Sequence, residues 1–97
     1  PEMLMANWAA VRYSSDHIFD YIELARDYSI FETAVPSSWV GKTVVELSVR
    51  QTYRINILAT RHGGHLELLP GGSPQFQPDE TIYILGVYMD VHKFLLN

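Results

Sequence analysis

The spacing of apolar residues changes most sharply in the middle of the chain. Val45, Val49 and Tyr53 lie four residues apart, which is the spacing of a helix. Val44 and Leu47 add apolar groups on other sides of the same helix, so little of its surface is left polar. We therefore expect this helix to be buried on more than one side.

Two polar residues mark the start of this helix. Thr43 and Glu46 have the spacing of a capping box, in which the hydroxyl and the carboxylate each accept a hydrogen bond from a backbone N–H at the helix start. The helix should therefore begin near Val44. From Ile55 the period changes to two, which is typical of a strand. This strand would present Ile55, Ile57 and Ala59 on one face and Asn56, Leu58 and Thr60 on the other.

Two strands are predicted before this unit. The segment 18–24 fits a strand, although its apolar spacing also fits a helix, and the segment 28–35 alternates between apolar and polar residues. Pro36 ends the second strand, because proline cannot donate to a strand ladder. Trp39 and Val40 follow it, and we expect them to anchor the chain in the core ahead of the helix.

A hairpin, a strand and a helix are predicted after this unit. The paired glycines at 63–64 supply the positive φ of a tight turn, and a return strand follows over 66–69. Residues 81–85 form the most apolar strand, and a short helix should follow over 91–96 with Asp90 as its N-cap. Together these elements predict an α+β fold, a small sheet with a hairpin packed against short helices.

Composition narrows the class of protein. With 97 residues, 47% of them hydrophobic, the chain forms one small domain with enough apolar material to fold. The net charge of −4 and the pI near 5.4 argue against a nucleic-acid polymer as partner. The lack of cysteine excludes disulfides and thiolate zinc sites. No apolar run reaches 18 residues, so no membrane span is predicted.

The first residues have a pattern of their own. Leu4, Trp8 and Val11 are spaced four and three apart, which predicts a helix over Glu2–Tyr13. The chain begins at Pro1, without an initiator methionine and without a signal peptide. We therefore expect it to be a piece of a longer cytoplasmic protein.

Candidate catalytic and metal-binding residues are sparse. His62 and His65 are three residues apart but flank a glycine turn, and no cluster of Cys, Asp or Glu beside them in sequence supplies further ligands. The 11 acidic residues are scattered without an acid–base pair, and no Gly-x-Ser-x-Gly nucleophile motif occurs. We therefore expect neither an enzyme nor a metal site.

Several short motifs follow one another in a particular order and spacing. They are Tyr28-Ser29-Ile30-Phe31-Glu32, Pro36 with Trp39-Val40-Gly41-Lys42-Thr43, Glu46-Leu47, Val49-Arg50, Tyr53, Ile55-Asn56-Ile57-Leu58-Ala59 and Pro78-Asp79-Glu80-Thr81-Ile82-Tyr83-Ile84-Leu85-Gly86. Together they resemble the TrkA-C domain, also called the C-terminal RCK (RCK_C) domain, over about residues 18–96. Arg54 stands where this family usually has glycine, so a turn with positive φ there would be strained.

The resemblance implies a division of the chain and a function. Residues 1–17 would be the linker helix from a missing upstream RCK nucleotide-binding domain, and residues 18–97 the TrkA-C regulatory domain. Such domains control bacterial potassium uptake systems of the Ktr type from the cytoplasm. The parent protein would assemble as a ring on a membrane potassium-translocating subunit, at the inner face of the membrane. The lack of a dinucleotide fingerprint in this chain fits a fragment without the upstream domain.

The resemblance also implies a ligand, cyclic di-AMP, held without a covalent bond at a homodimer interface. The family motif has an arginine near the end of the helix and an asparagine six positions later, and Arg50 and Asn56 match it. A guanidinium pairs bidentately with phosphate, and an amide offers a donor and an acceptor to an adenine edge. A two-fold dimer suits a two-fold ligand. The apolar walls of this site would be Val44, Val45, Ile55 and Ile57.

Simpler explanations stand beside these roles. Arg50 fits a solvated helix residue equally well. Asn56 fits a strand-edge residue satisfied by the backbone, although asparagine is disfavoured in strands. The valines and isoleucines fit an ordinary core. The alternative function is therefore a structural dimerisation module of an RCK-type gating ring, without a small-molecule ligand.

Overall fold

Five strands form one antiparallel sheet in the computed structural model, which describes residues 18–68 and 74–96. The strands lie in the order β1-β2-β5-β3-β4. They are β1 (Ile18–Ala25), β2 (Tyr28–Ala34), β3 (Asn56–His62), β4 (His65–Leu68) and β5 (Thr81–Gly86).

Three short helices accompany the sheet in the described part of the chain. They are α1 (Val44–Leu47), α2 (Val49–Tyr53) and α3 (Tyr88–Leu95), and one 3-10 turn spans Ser37–Trp39. The predicted α+β class, a small sheet with a hairpin and short helices, is confirmed. The predicted helix over 2–13 and most of the predicted loop over 70–74 lie outside the described residues.

One face of the sheet packs against the helices and forms the core. Phe31 lies opposite Ile84, and Thr33 lies opposite Ile82, in the central pair of strands. All four side chains are completely buried. Each buried isoleucine or phenylalanine stabilises the fold by about 1.5–3 kcal/mol relative to an exposed one. The elements beside the sheet contribute Trp39, Val49, Phe76, Val91 and Phe94 to this core.

The tryptophan ahead of α1 anchors the chain as the sequence predicts. The ring centroid of Trp39 lies 4.9 Å from that of Phe94 and 5.2 Å from that of Phe76. The rings are tilted, and both distances lie within the range of about 4.5–7 Å that is typical of aromatic pairs. Val40, in contrast, is exposed, so Trp39 alone is the anchor.

The other face of the sheet, which we call the open face, carries three rows of side chains. Residues opposite one another on antiparallel strands share a face, so the register defines these rows. The first row ends at Asn56, and the second combines two carboxylates with apolar side chains. The rows are Ile22-Ile30-Leu85-Asn56, Asp20-Glu32-Tyr83-Ala59-Leu68 and Ala34-Thr81-Arg61-Leu66.

Ser48 divides the helix that the sequence predicts to be continuous. Its φ of 49° and ψ of 53° are left-handed, so α1 ends before it and α2 begins after it. Within these two helices only Val49 is buried, whereas Val45 is 70% exposed. The expectation of a helix buried on more than one side is therefore wrong, because the break ends the helical period on which it rested.

The side-chain alternation of β3 also differs from the prediction. Its register against β5 shifts between Ile57 and Ala59, which makes Leu58 the extra residue of a β-bulge. A one-residue shift reverses the alternation beyond it. Thr60 therefore lies on the core face with Ile57, and Ala59 lies on the open face.

The last helix begins earlier than predicted. Val87 is its N-cap, in an extended conformation, and the helix starts at Tyr88. Asp90 is therefore not the N-cap but a residue of the first turn. A carboxylate in that position still interacts favourably with the helix dipole.

Candidate ligand site between the helices and the open face

The predicted capping box fixes the start of α1. The backbone N–H of Thr43 donates to Oε1 of Glu46 at 2.9 Å, and the backbone N–H of Glu46 donates to Oγ1 of Thr43 at 3.1 Å. Both predicted contacts are confirmed, and the helix begins at Val44 as expected. The reciprocal bonds occupy the one carboxylate of residues 42–54.

Arg54 holds the turn between α2 and β3 in a left-handed conformation. Its φ is 59° and its ψ is 34°, and its backbone N–H donates to the carbonyl oxygen of Arg50 at 2.9 Å. A residue with a Cβ adopts this region at a cost of about 1–2 kcal/mol. The turn therefore has the positive φ at which arginine is expected to be strained, and it forms with arginine in place of glycine.

Arg50 and Asn56 lie on either side of this turn. Arg50 is exposed on α2, and Asn56 is exposed as the first residue of β3, at the end of the apolar first row of the open face. Neither side chain has a hydrogen bond or ion pair within the described residues. The polar groups predicted to recognise a ligand are therefore free to do so.

The four predicted wall residues occupy different surroundings. Val45 is 70% exposed, and Val44 and Ile57 are half-buried against the core. Ile55 is completely buried in the core, so in a single chain its side chain forms none of the surface of the site. Arg50, Ile55 and Asn56 therefore lie next to the turn at Arg54, whereas Val44 lines a cleft beside the β3–β4 hairpin and Ile57 lies on the core face. The six predicted residues do not enclose a cavity within one chain.

The charge around this turn differs from that of the whole chain. Lys42, Arg50 and Arg54 are three of the seven cationic residues of the protein, and all three are exposed. The nearby carboxylate of Glu46 is engaged in the capping box. Arg50 and Arg54 are thus two exposed cations at the end of α2, and Asp90 shares the cleft that Arg54 lines.

Two clefts contain residues that the sequence did not single out as a site. A cleft of about 520 Å³ lies between the end of α2 and α3, where Arg54 meets Asp90 and Lys93. A second cleft, of about 270 Å³, lies beside the β3–β4 hairpin and includes Val44. The predicted two-glycine turn could have indicated the second cleft, because such a turn places His62 opposite His65.

Residues 18–68 and 74–96 contain neither a metal-binding cluster of three or more side chains nor a membrane-spanning helix. No group of three or more His, Asp or Glu side chains there is placed to hold a metal ion. None of the helices described has the length and apolarity needed to cross a bilayer.

Comparison with known proteins decides the family. Residues 29–95 match the model of the TrkA-C domain, a range that includes all six predicted site residues. The chain belongs to the TrkA-C family. The resemblance given by the sequence motifs is thus confirmed.

The relatives of this TrkA-C chain include two potassium uptake proteins of Bacillus subtilis (strain 168). Ktr system potassium uptake protein C is 29% identical over 94 residues, and Ktr system potassium uptake protein A is 30% identical over 94 residues. Each alignment covers 97% of this chain. The chain spans 42% of the length of each relative.

Solved structures share the TrkA-C fold of this chain. The RCK C domain of the potassium transport protein KtrA, in complex with cyclic diadenosine monophosphate, matches with a TM-score of 0.71 and 23% identity. That match covers 94% of this chain and 98% of the other. The RCK_C domain dimer of BusR from S. agalactiae, in complex with c-di-AMP, matches with a TM-score of 0.59 and 24% identity, over 69% of this chain and 89% of the other.

Proposed function

We propose that this chain is the ligand-sensing regulatory domain of a bacterial potassium transporter subunit. It binds cyclic di-AMP at a homodimer interface and thereby controls potassium uptake. Residues 18–97 form the regulatory domain, and residues 1–17 link it to an upstream RCK nucleotide-binding domain. The subunit assembles as a ring on a membrane potassium-translocating subunit, on the cytoplasmic side, and catalyses no reaction.

The observation that carries this proposal is the pair formed by Arg50 and Asn56. Both side chains are exposed on adjacent elements, and neither has a partner within the described residues. Two neighbouring polar groups of different chemistry without internal contacts are better suited to recognising a ligand than to holding the fold together. Ktr relatives and the c-di-AMP complexes of two structural neighbours support this choice of ligand.

The chemistry of the two side chains fits the two parts of cyclic di-AMP. The Arg50 guanidinium pairs with a phosphate, and the Asn56 amide reads an adenine edge. Val44, Val45 and Ile57 supply apolar surface for the base faces, with Ile55 as support beneath them. Lys42 and Arg54 add positive charge, which draws an anionic ligand to an acidic protein.

A second copy of the chain completes the site. Asn56 ends the open-face row that begins with Ile22 and Ile30, and Ile22 is 61% exposed. A partner that covers this row removes apolar surface from water and brings a second Asn56 close to the first, across a two-fold axis. The ligand then contacts the same residues of both copies.

Isothermal titration calorimetry with cyclic di-AMP tests the proposal. The wild-type domain should bind the ligand, and Arg50→Ala should weaken binding by about 1.5–3 kcal/mol, or roughly tenfold to a hundredfold, through loss of a charge-assisted contact. Arg26→Ala is the matched control, since Arg26 is exposed in the β1–β2 turn, and β5 separates those two strands from β3 in the sheet. Binding that is unchanged in Arg50→Ala discards the site but keeps the function.

The alternative, a structural dimerisation module of the gating ring, is favoured by a specific observation. Apolar side chains are exposed along the open face, with Leu68 at 70%, and such a surface suits a partner whether or not a ligand is present. A folded, dimeric wild-type domain that gives no heat with cyclic di-AMP would establish this alternative.

A further inference from the structure

The β3–β4 hairpin brings two histidines together. His62 and His65 are the closing pair of a two-residue turn, in which Gly63 and Gly64 both have positive φ, 57° and 80°. Directly opposite residues on antiparallel strands have Cβ atoms about 4.5–5.5 Å apart and point to the same face. Both histidines are exposed. Their imidazole rings can therefore turn towards one common atom.

The surroundings of this pair favour a cation. Thr60 and Glu67 form the next cross-strand pair on the same face, and both line the cleft of about 270 Å³ with the two histidines. Glu80 lines it from the segment that precedes β5. None of the described residues that line the cleft is a lysine or an arginine.

The neighbouring cation of the hairpin is directed away from this cleft. Arg61, between Thr60 and His62 in sequence, lies on the open face, where its Nε donates to the Tyr83 hydroxyl at 3.0 Å. Its guanidinium carbon lies 5.7 Å from the centre of the same ring. The strand alternation thus separates Arg61 from the two histidines and from Glu67.

Contrary to the expectation from the sequence, we propose that His62 and His65 chelate one divalent transition-metal ion, of the class to which zinc belongs. Neutral imidazole is a preferred ligand of such ions, and the carboxylates of Glu67 and Glu80 offset the positive charge of the ion within the same cleft. No third side chain is placed as a ligand in the described residues, so water fills the remaining positions of a four-coordinate ion. The cleft shares Val44 with the predicted walls of the ligand site around Arg50, but neither histidine belongs to that site.

Titration of the untagged domain with zinc chloride tests this site. Calorimetry should show one ion bound per chain, and NMR should show shifts of the imidazole resonances of His62 and His65. His62→Gln and His65→Gln should each weaken zinc binding at least tenfold, because each removes one of two protein ligands. His92→Gln is the matched control. His92 lies on α3, where its Nδ1 is 3.2 Å from the Tyr88 hydroxyl, and its substitution should leave zinc affinity unchanged.

Three results would overturn the proposal. One is zinc binding that is equal in the wild type and in a His62→Gln, His65→Gln double variant whose circular dichroism shows the native fold. Another is one ion for every two chains with zinc-dependent association by light scattering, which would place the ion between molecules. The third is absence of any zinc binding below millimolar concentration. Cobalt in place of zinc adds a readout, since intense visible absorption identifies a four-coordinate site.

Discussion

The centre of the sheet has a regular backbone, whereas the unit formed by α1, α2 and the start of β3 is irregular. In β2 and β5 every second residue is buried, the register is uninterrupted, and Phe31 and Ile84 are completely enclosed. The α1–α2–β3 unit has two left-handed residues other than glycine, Ser48 and Arg54, and a bulge at Leu58. It also leaves polar side chains without internal partners. Irregular backbone with free polar groups is the expected character of a binding region carried on a regular scaffold.

The largest expected effect comes from substitution in the regular region. Ile84→Ala should lower the free energy of unfolding by about 2–5 kcal/mol, because it removes buried methyl groups and leaves a cavity. Val45→Ala, in the irregular unit, should change it by less than about 0.5 kcal/mol at protein concentrations low enough to give monomers. Urea denaturation at two protein concentrations measures both. Equal losses in the two variants would show that the contrast between the regions is wrong.

The next effect concerns association of two chains. Val45→Asp should weaken dimerisation by about 1–3 kcal/mol per copy, since it places an unpaired carboxylate in a contact that excludes water. Met89→Asp is the control, because Met89 is also highly exposed but lies on α3. Analytical ultracentrifugation across a concentration series gives the dissociation constants. A dimer that Met89→Asp weakens and Val45→Asp leaves intact would place the interface elsewhere.

A smaller effect separates the roles of the two recognition residues. Asn56→Ala should reduce the preference for cyclic di-AMP over cyclic di-GMP by up to about tenfold per contact, because each lost amide contact is worth about 0.5–1.5 kcal/mol, and the contact occurs twice in a two-fold dimer. Arg50→Ala should instead flatten the salt dependence of binding. Titrations with both nucleotides at two salt concentrations distinguish them. Gln77→Ala, which removes an exposed amide elsewhere, should change neither quantity; an equal loss for both nucleotides in Asn56→Ala would contradict base reading.

The regular region could be predicted from sequence, and the irregular unit only in part. Strand alternation in 28–35 and 81–85 gave the correct strands, and the capping box gave the first residue of α1. The break at Ser48 could not be predicted, because neither glycine nor proline marks it and helical spacing continues through it. The bulge at Leu58 likewise arises from the pairing of β3 with β5, and this pairing cannot be inferred from the sequence of β3 alone.

The candidate site could also be predicted from the sequence only in part. The sequence motif indicated Arg50 and Asn56, and the structure places both on the surface beside one turn. Strand alternation placed Ile55 and Ile57 on one face, but it could not show which of the two side chains is exposed at the site and which is buried beneath it. Burial of Ile55 depends on distant contacts, such as the approach of Gly86, where an added Cβ would lie 3.2 Å from the Ile55 side chain.

The smallest expected effect tests the strain in the irregular unit. Arg54→Gly should stabilise the domain by about 0.5 kcal/mol, since relief of a left-handed residue gains about 1–2 kcal/mol and the greater freedom of glycine in the unfolded chain costs about 0.4–1 kcal/mol. Arg50→Gly is the matched control: Arg50 is in the right-handed α2 helix, so glycine there should destabilise by about 1 kcal/mol. The midpoint of thermal unfolding should therefore rise in Arg54→Gly and fall in Arg50→Gly.

A third variant identifies the cause of that shift. Arg54→Ala removes the arginine side chain from the cleft beside Asp90 and Lys93 but keeps a Cβ in the left-handed turn. If backbone strain dominates, Arg54→Ala should be no more stable than the wild type, and only the glycine variant should gain. Equal stabilisation by alanine and glycine would instead assign the effect to the side chain, which would mean that the turn between α2 and β3 tolerates arginine without strain.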